Sequence, residues 1–338
     1  MPEPLPADMP GLMKIVNGFE QAAVVLGAAQ LDLFSPLAKG PLTAAELAAQ
    51  TGLPVRGVAR LLNASAALGV VTKEADHYRN APAADAFLVK DRPGYVGNML
   101  RQASDRYQAW GKLSEAIRND GPVLPLTGAE LEHAPPEVLD NYVHGLFELG
   151  KGLAGRIGSL VDLKQSRRLL DVAGGSGVYS IRLCQAFPQL SATVFDLPPI
   201  LQRTRHIIER EGMTARVSVR EGNYFSDDFG HGYDTVLLSN MLQTEGRETG
   251  KMVLGKAFAA LQAGGQILIH GIMPEPNLIE PVQPAVFSLF MMLVFPHGEA
   301  YPGEEIIGWL HDLGFVDGQK IRLPPPAFTG LVLARKPG

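Results

Sequence analysis

Residues 167–198, RRLLDVAGGSGVYSIRLCQAFPQLSATVFDLP, leave the chain few folds to choose from. An apolar strand, LLDVA, runs straight into a glycine-rich turn that opens a helix, and a second strand, ATVFD, ends in Asp196 about twenty residues after the turn. The small residues Ala173, Gly174, Gly175 and Gly177 let the backbone approach a ligand closely, and an acid at the end of the second strand suits a ribose diol. The apolar runs VSV, TVLLS and QILIHGI continue the pattern, alternating with helical stretches at 181–187, 200–211 and 251–261. This alternation predicts a doubly wound parallel α/β sheet.

The turn also narrows the ligand. A dinucleotide fingerprint reads GxGxxG, with a pyrophosphate on the helix N-terminus. Here the pattern is DxAxGxG, and Asp171 would repel a pyrophosphate but suit the cationic amino group of a methionine moiety. The third strand leads into EGNYF, where Asn223 can meet an adenine edge and Tyr224 or Phe225 its face. S-adenosylmethionine is the cofactor these features predict.

The N-terminal half has a different texture. Apolar positions recur with helical spacing from Gly11 to Leu37, and AAVVLGAAQLDLF is apolar nearly all round. Thr43 with Glu46 can cap a short helix, Val55 to Leu68 form a second one, and VVTKEADHYRN reads as a hairpin, which together outline a winged helix. Its second helix carries only Arg56 and Arg60, and the chain has a formal charge of -5, so nucleic acid is not the expected partner. A second subunit accounts better for the apolar surface. Helices broken by DGPVLPLTGAELEHAPPEV follow, and the boundary is expected near residues 160–167, giving domains 1–163 and 164–338.

With 338 residues and 46% hydrophobic content, the chain can bury the core of about two domains. The single cysteine, Cys184, excludes a disulfide framework, and no HExxH or clustered acids point to a metal. The longest apolar run, VFSLFMMLVF, is too short to span a bilayer, and MPEPLPADMP does not read as a secretion signal. A cytoplasmic protein acting on a small molecule, with no membrane partner, is the expectation.

Taken in order, LLDVAGGSG, TVFDLP, GNYF, LLSNML, LQAGGQILI and WLHDLGF resemble the bacterial and plant small-molecule O-methyltransferase family. The likeness runs from Gly11 to Arg335. It implies a Rossmann-like class I methyltransferase domain preceded by a mainly helical winged-helix dimerisation domain, and a homodimer. It also implies a cofactor set of Asp171, Ala173, Gly175 and Gly177 in the loop, Asp196 on the ribose with Leu197 beside it, Asn223 and Tyr224 at the adenine, and Ser239 at the end of the fourth strand. Asn223 stands where the family commonly has an aspartate.

The resemblance breaks at the catalytic position. The family's usual base is a histidine after the fourth strand, in a run like LHDW. Here that position is Gln243, and an amide cannot accept a proton at neutral pH. The two acids that usually flank the histidine map to His270 and to Ala300, beside Glu299. Acceptor-binding residues implied by the resemblance are Tyr142 with His144 nearby, Asn240, and Met291 and Phe295 with His297 beyond.

Methyl transfer from a sulfonium needs alignment above all, and a base only when the nucleophile carries a proton. The favoured acceptor is therefore one that needs no deprotonation, such as a thioether sulfur, and within the family the chain resembles the methylthiohydroxybutyrate S-methyltransferase branch of dimethylsulfoniopropionate synthesis. The alternatives are O-methylation with His270 as base, or C- or N-methylation. A different class comprises cofactor-binding proteins that transfer no methyl group, whether enzymes or DNA-binding regulators.

Overall fold

A computed structural model describes residues 8–323 and 328–338, apart from the side chains at 98, 102 and 105. Two compact units divide between Arg106 and Tyr107.

In the first unit, helices α1 (Met9–Val16), α2 (Gly18–Gln30), α3 (Phe34–Leu37), α4 (Ala44–Thr51), α5 (Val55–Ala67) and α6 (Pro82–Phe87) accompany a small sheet. Its strands β1 (Leu42–Thr43), β2 (Val71–Glu74) and β3 (His77–Asn80) are antiparallel in the order β1-β3-β2. The expected cap is present, since Thr43 Oγ1 accepts the Glu46 N–H at 3.2 Å and the Glu46 carboxylate accepts the Thr43 N–H at 2.8 Å. The apolar stretch to Leu37 forms three helices and not one, interrupted at Asn17 and at Asp32, which has φ 52°. Leu33, Phe34, Leu37, Leu47, Val58, Leu62 and Tyr78 form the core. Met9, Leu12, Met13, Ile15, Val16 and Phe19 on α1 and α2 stay 40% to 68% exposed.

The division falls inside α7 (Gly97–Trp110), well before the predicted boundary. The reason is the apolar face of the long helix α10 (Pro136–Leu160), which follows α8 (Leu113–Asn119) and α9 (Gly128–His133). Val143, Phe147, Ala154 and Ile157 pack into one core with Val178, Ile181, Ile200 and Ile207, so α10 belongs to the α/β unit.

That unit alternates β4 (Arg168–Val172), α11 (Val178–Ala186), β5 (Ser191–Asp196), α12 (Pro198–Arg210), β6 (Val217–Glu221), β7 (Tyr233–Ser239), α13 (Arg247–Ala260) and β8 (Leu261–Ile272). It ends with α14 (Val282–Val294), α15 (Gly303–Asp312), β9 (Val316–Arg322) and β10 (Thr329–Arg335). The sheet order is β6-β5-β4-β7-β8-β10-β9, with β4 to β8 parallel and β10 antiparallel to both neighbours.

Alternate residues of the central strands enter different cores, Leu169, Leu237 and Leu268 on one face and Leu170, Val172, Leu238 and Ile267 on the other. A strand covered on both sides reads as a continuous apolar run, as these do. The order turns back at β4, with β5 on one flank and β7 on the other. A crevice opens beyond the carboxyl ends of strands at such a reversal, and the glycine turn follows β4 there.

Candidate active site

Asp171 is the penultimate residue of β4 and is 0% exposed. Its Oδ2 accepts the Ser180 hydroxyl at 2.7 Å, whereas Oδ1 has no hydrogen-bond partner. Burial pushes its carboxyl up to about 7, against the Ser180 hydrogen bond. Above it the loop is tight. A Cβ on Gly174 would lie 2.7 Å from Asp171 Cγ and 2.8 Å from Val194 Cγ1. Ala173, Gly175 and Gly177 have φ of 53°, 54° and 70°, a left-handed run that only Ala173 enters with a side chain.

Asp196, at the end of β5, faces this loop. Its Oδ2 accepts the Gly175 N–H at 2.8 Å and its Oδ1 the Leu197 N–H at 2.7 Å. Burial raises its carboxyl to about 6, and the two backbone donors oppose that shift. A carboxylate has four acceptor positions, so two backbone donors leave room for a diol. Tyr142, half-buried on α10, lies close enough to Asp196 for that charge to add to burial in raising its phenol.

After β6, Asn223 closes a turn, with its Oδ1 accepting the Phe225 N–H at 2.9 Å and its own N–H donated to Asp227 at 2.8 Å. The oxygen expected at an adenine edge thus has a backbone partner. Tyr224 lies against Phe225, ring centroids 4.6 Å apart.

A buried polar cluster sits at the ends of β7 and β8, where Ser239 and His270 are register partners. Ser239 Oγ and His270 Nδ1 are 2.9 Å apart, and the Asn240 amide reaches Ser239 Oγ at 3.4 Å. Asn240 takes a left-handed φ of 56° and donates its N–H to the His270 carbonyl at 2.8 Å. Gln243 is 8% exposed. Its Nε2 points to Asn240 Oδ1 at 3.5 Å, its Oε1 accepts the Ile272 N–H at 3.3 Å, and its carbonyl accepts the Glu299 N–H at 3.0 Å. The amide is engaged at both ends by the protein itself.

His270 is 1% exposed, and its Nε2 has no partner. Burial drives its imidazole down to about 3, so it is neutral at physiological pH and a very weak proton acceptor. A base titrating near the ordinary histidine value is therefore not what this environment makes of it.

The sequence matches the O-methyltransferase domain over residues 110–316 and the O-methyltransferase dimerisation domain over residues 13–90. This chain belongs to the O-methyltransferase family. It is 32% identical over 331 residues to the 3-hydroxy-5-methyl-1-naphthoate 3-O-methyltransferase of Streptomyces sahachiroi, covering 96% of this chain and 94% of that one. It is 30% identical over 332 residues to the tetracenomycin polyketide synthesis 8-O-methyl transferase TcmO of Streptomyces glaucescens, 96% of each. The structure of PigF with SAH superposes with a TM-score of 0.89 at 24% identity, covering 97% of this chain and 100% of that one.

Like its family, this O-methyltransferase relative is a methyltransferase of small metabolites that uses S-adenosylmethionine. Its residues fit that cofactor, because a buried carboxylate with an unpartnered oxygen beneath a loop too tight for a Cβ suits an ammonium group.

The expected acceptor residues differ in their surroundings. His144 lies about 200° around α10 from Tyr142, among Arg210, Asp140, Glu148 and Arg203, and burial followed by the Arg210 charge lowers its imidazole. Met291 is a core residue of the cluster that includes Ala116, Leu293 and Val294, with Phe295 packed at its rim. His297 is exposed beside Gly246, where its charge acts on Glu245.

Three residues that sequence reasoning missed belong to the site. Tyr179 stacks obliquely on His270 at 5.3 Å between centroids. Burial raises its phenol to about 12, while hydrogen bonds with the Ser239 and Asn240 side chains oppose the rise. Glu245 accepts the Tyr224 hydroxyl at 2.6 Å, and Lys256 donates to the carbonyls of Tyr224, Phe225 and Asp227. No motif marks any of them, since each acts through a partner distant in sequence. Among the described residues no group of acids, histidines and cysteines could hold a metal, and no helix is long and apolar enough to cross a membrane.

Proposed function

We propose that this enzyme methylates a small metabolite at an atom that carries no proton when the transfer occurs, with a thioether sulfur as the acceptor class that suits the site best. The observation behind this is the neutral, internally bonded set after β7 and β8: Gln243 at the position of the usual base, and His270 buried beside it. Neither can take a proton from a hydroxyl near neutral pH.

When bound, S-adenosylmethionine supplies an electrophilic methyl group on a sulfonium. For a thioether acceptor, the new carbon–sulfur bond forms as the old one breaks, the positive charge passes to the acceptor sulfur, and no proton moves. The chain's contribution is then alignment and exclusion of water. In this reading Asp171 Oδ1 takes the ammonium group and Asp196 the ribose diol. Ala173, Gly175, Gly177, Leu197 and Ser239 line the cofactor path, and Asn223 with Tyr224 borders the adenine. Asn240, Tyr142, Phe295 and His297 bound the acceptor, with Gln243 keeping their loops in place.

A second reading is O-methylation of a hydroxyl acidic enough to ionise in water. Three relatives at 30% identity or more carry names that place the methyl group on oxygen. The discriminating experiment is a screen of thioether, amine, phenol and activated-carbon acceptors with labelled cofactor, followed by a pH profile. Turnover of thioethers with a flat profile supports the first reading. Turnover confined to phenols, rising with each phenol's own ionisation, selects the second. The apolar α1–α2 surface and the dimerisation-domain match support a working homodimer.

A further inference from the structure

The acid in the segment after β7 links two parts of the site. The loop 222–227 is held by internal hydrogen bonds: Asn223 closes its turn, Asp227 accepts the Asn223 N–H, and the Lys256 ammonium holds carbonyls of Tyr224, Phe225 and Asp227 at 2.9, 2.8 and 3.0 Å. Tyr224 leaves this loop and donates its hydroxyl to Glu245 Oε1 at 2.6 Å. Glu245 is itself fixed at the backbone, where its carbonyl accepts the Tyr301 hydroxyl at 2.6 Å and its N–H reaches the Leu242 carbonyl at 3.2 Å. Two residues earlier stands Gln243, tied to Asn240 and to Ile272.

We propose that Tyr224 and Glu245 are a positioning pair that couples cofactor occupancy to the order of the acceptor-side segment 240–247. The proposal rests on the reading that loop 222–227 borders the adenine, and it is independent of which acceptor is methylated. A ligand packed against Tyr224 restricts its ring, and the short bond to a half-buried carboxylate carries that restriction to Glu245 and the residues leading back to Gln243. Hydrogen bonds to charged groups are the stronger class, and the half-buried site leaves little water to replace this one. The coupling matters because in-line transfer is sensitive to displacements of about 1 Å, which can cost on the order of a hundredfold in rate.

The test uses S-adenosylhomocysteine as the probe, with hydrogen exchange and calorimetry on wild type, Tyr224→Phe, Glu245→Ala, Glu245→Gln and the Tyr224→Phe/Glu245→Ala double variant. In wild type the probe should slow exchange in both 222–227 and 240–247. In Tyr224→Phe, which keeps ring and packing, 222–227 should still be protected while 240–247 exchanges as in the ligand-free enzyme. Glu245→Gln, whose amide oxygen can accept the same proton, should restore the transmission that Glu245→Ala loses. Each disrupting single variant should weaken probe binding by about tenfold, with the double variant no weaker than the worse single, as expected for one shared bond.

Protection of 240–247 that persists in Tyr224→Phe, or single effects that multiply in the double variant, overturns the coupling. Wild-type binding without any protection of 222–227 overturns the adenine placement instead, so the two failures are distinguishable.

Discussion

Asp171→Asn probes the energetic centre of the cofactor site. The carboxyl is fully buried, one oxygen lacks a partner, and its pKa is pushed up to about 7 from an ordinary 3.8. A rise of roughly three units corresponds to about 4 kcal/mol spent on ionising the group inside the fold. Because the folded value lies above the unfolded one, this group's contribution is fully present below about pH 4 and is lost as pH rises through about 7. The ligand-free enzyme should therefore weaken across that window. An ammonium group placed against Oδ1 reverses the preference, so cofactor binding should expel the proton: close to one proton at pH 6, and about a tenth at pH 8.

Calorimetry with S-adenosylhomocysteine in two buffers of different ionisation enthalpy measures this directly. Asp171→Asn should remove its own share of the release at pH 6, leaving at most the roughly half proton that Asp196, raised to about 6, can give up, and should weaken binding by at least about tenfold, while the ligand-free variant melts no lower than wild type at pH 8. Heats that do not depend on buffer at pH 6, or undiminished affinity in the variant, would refute the placement of the ammonium group.

Four further outcomes are expected. Gly174→Ala, whose Cβ would sit 2.7 Å from Asp171 Cγ and 2.8 Å from Val194 Cγ1, should lower stability by about 1 to 3 kcal/mol in denaturant melts and weaken probe binding. Asp196→Ala should weaken S-adenosylhomocysteine binding by roughly tenfold or more, read by calorimetry, through loss of a charge-assisted contact to the ribose. Ile15→Asp with Phe19→Asp, at positions 66% and 55% exposed on α1 and α2, should convert a dimer to a monomer in light scattering at micromolar concentration. Gln243→His should not raise turnover of the best acceptor, where an enzyme that had merely lost its base would gain a factor of about 10²–10⁴.

Local chemistry made much of this legible in advance. The β4–turn–α11 segment, the acid after β5 and the Thr43–Glu46 cap each depend on residues close in sequence, and each is where the pattern placed it. The domain boundary was not legible, because what assigns α10 to the α/β unit is its packing on Val178, Ile181, Ile200 and Ile207, and periodicity shows only that a helix has an apolar face. The same limit explains His144, which helical spacing turns away from Tyr142, and Tyr179, which looks like an ordinary helix residue until β7 and β8 bring Ser239 and His270 beside it. Asn223 follows β6 as the pattern expected, but its oxygen went to a local turn, a competition that asparagine side chains commonly win.

The expected failure of Gln243→His follows from the neighbours of position 243. In the family pattern the histidine is flanked by acids, and here their positions are His270 and Ala300, both 1% exposed. A carboxylate at either position would be a buried charge, tolerable only with a cation to pair with, and an unpaired one costs several kcal/mol. With an amide at 243 that cation is absent, and a neutral imidazole bonded to Ser239 is the residue that position 270 can hold. On the alignment that the resemblance implies, the three differences go together as one electrostatic change. A histidine restored alone at 243 would have no carboxylate to orient its ring or stabilise its protonated form, and the Gln243 bonds to Asn240 and Ile272 would be lost with it. Pairing Gln243→His with His270→Glu supplies the missing charge. If the double variant then turns over phenols that wild type ignores, with a rising limb in its pH profile that the single variant lacks, the neutral set is what holds wild type to acceptors without a proton. If the single variant already does so, the argument from coupled neutrality is wrong.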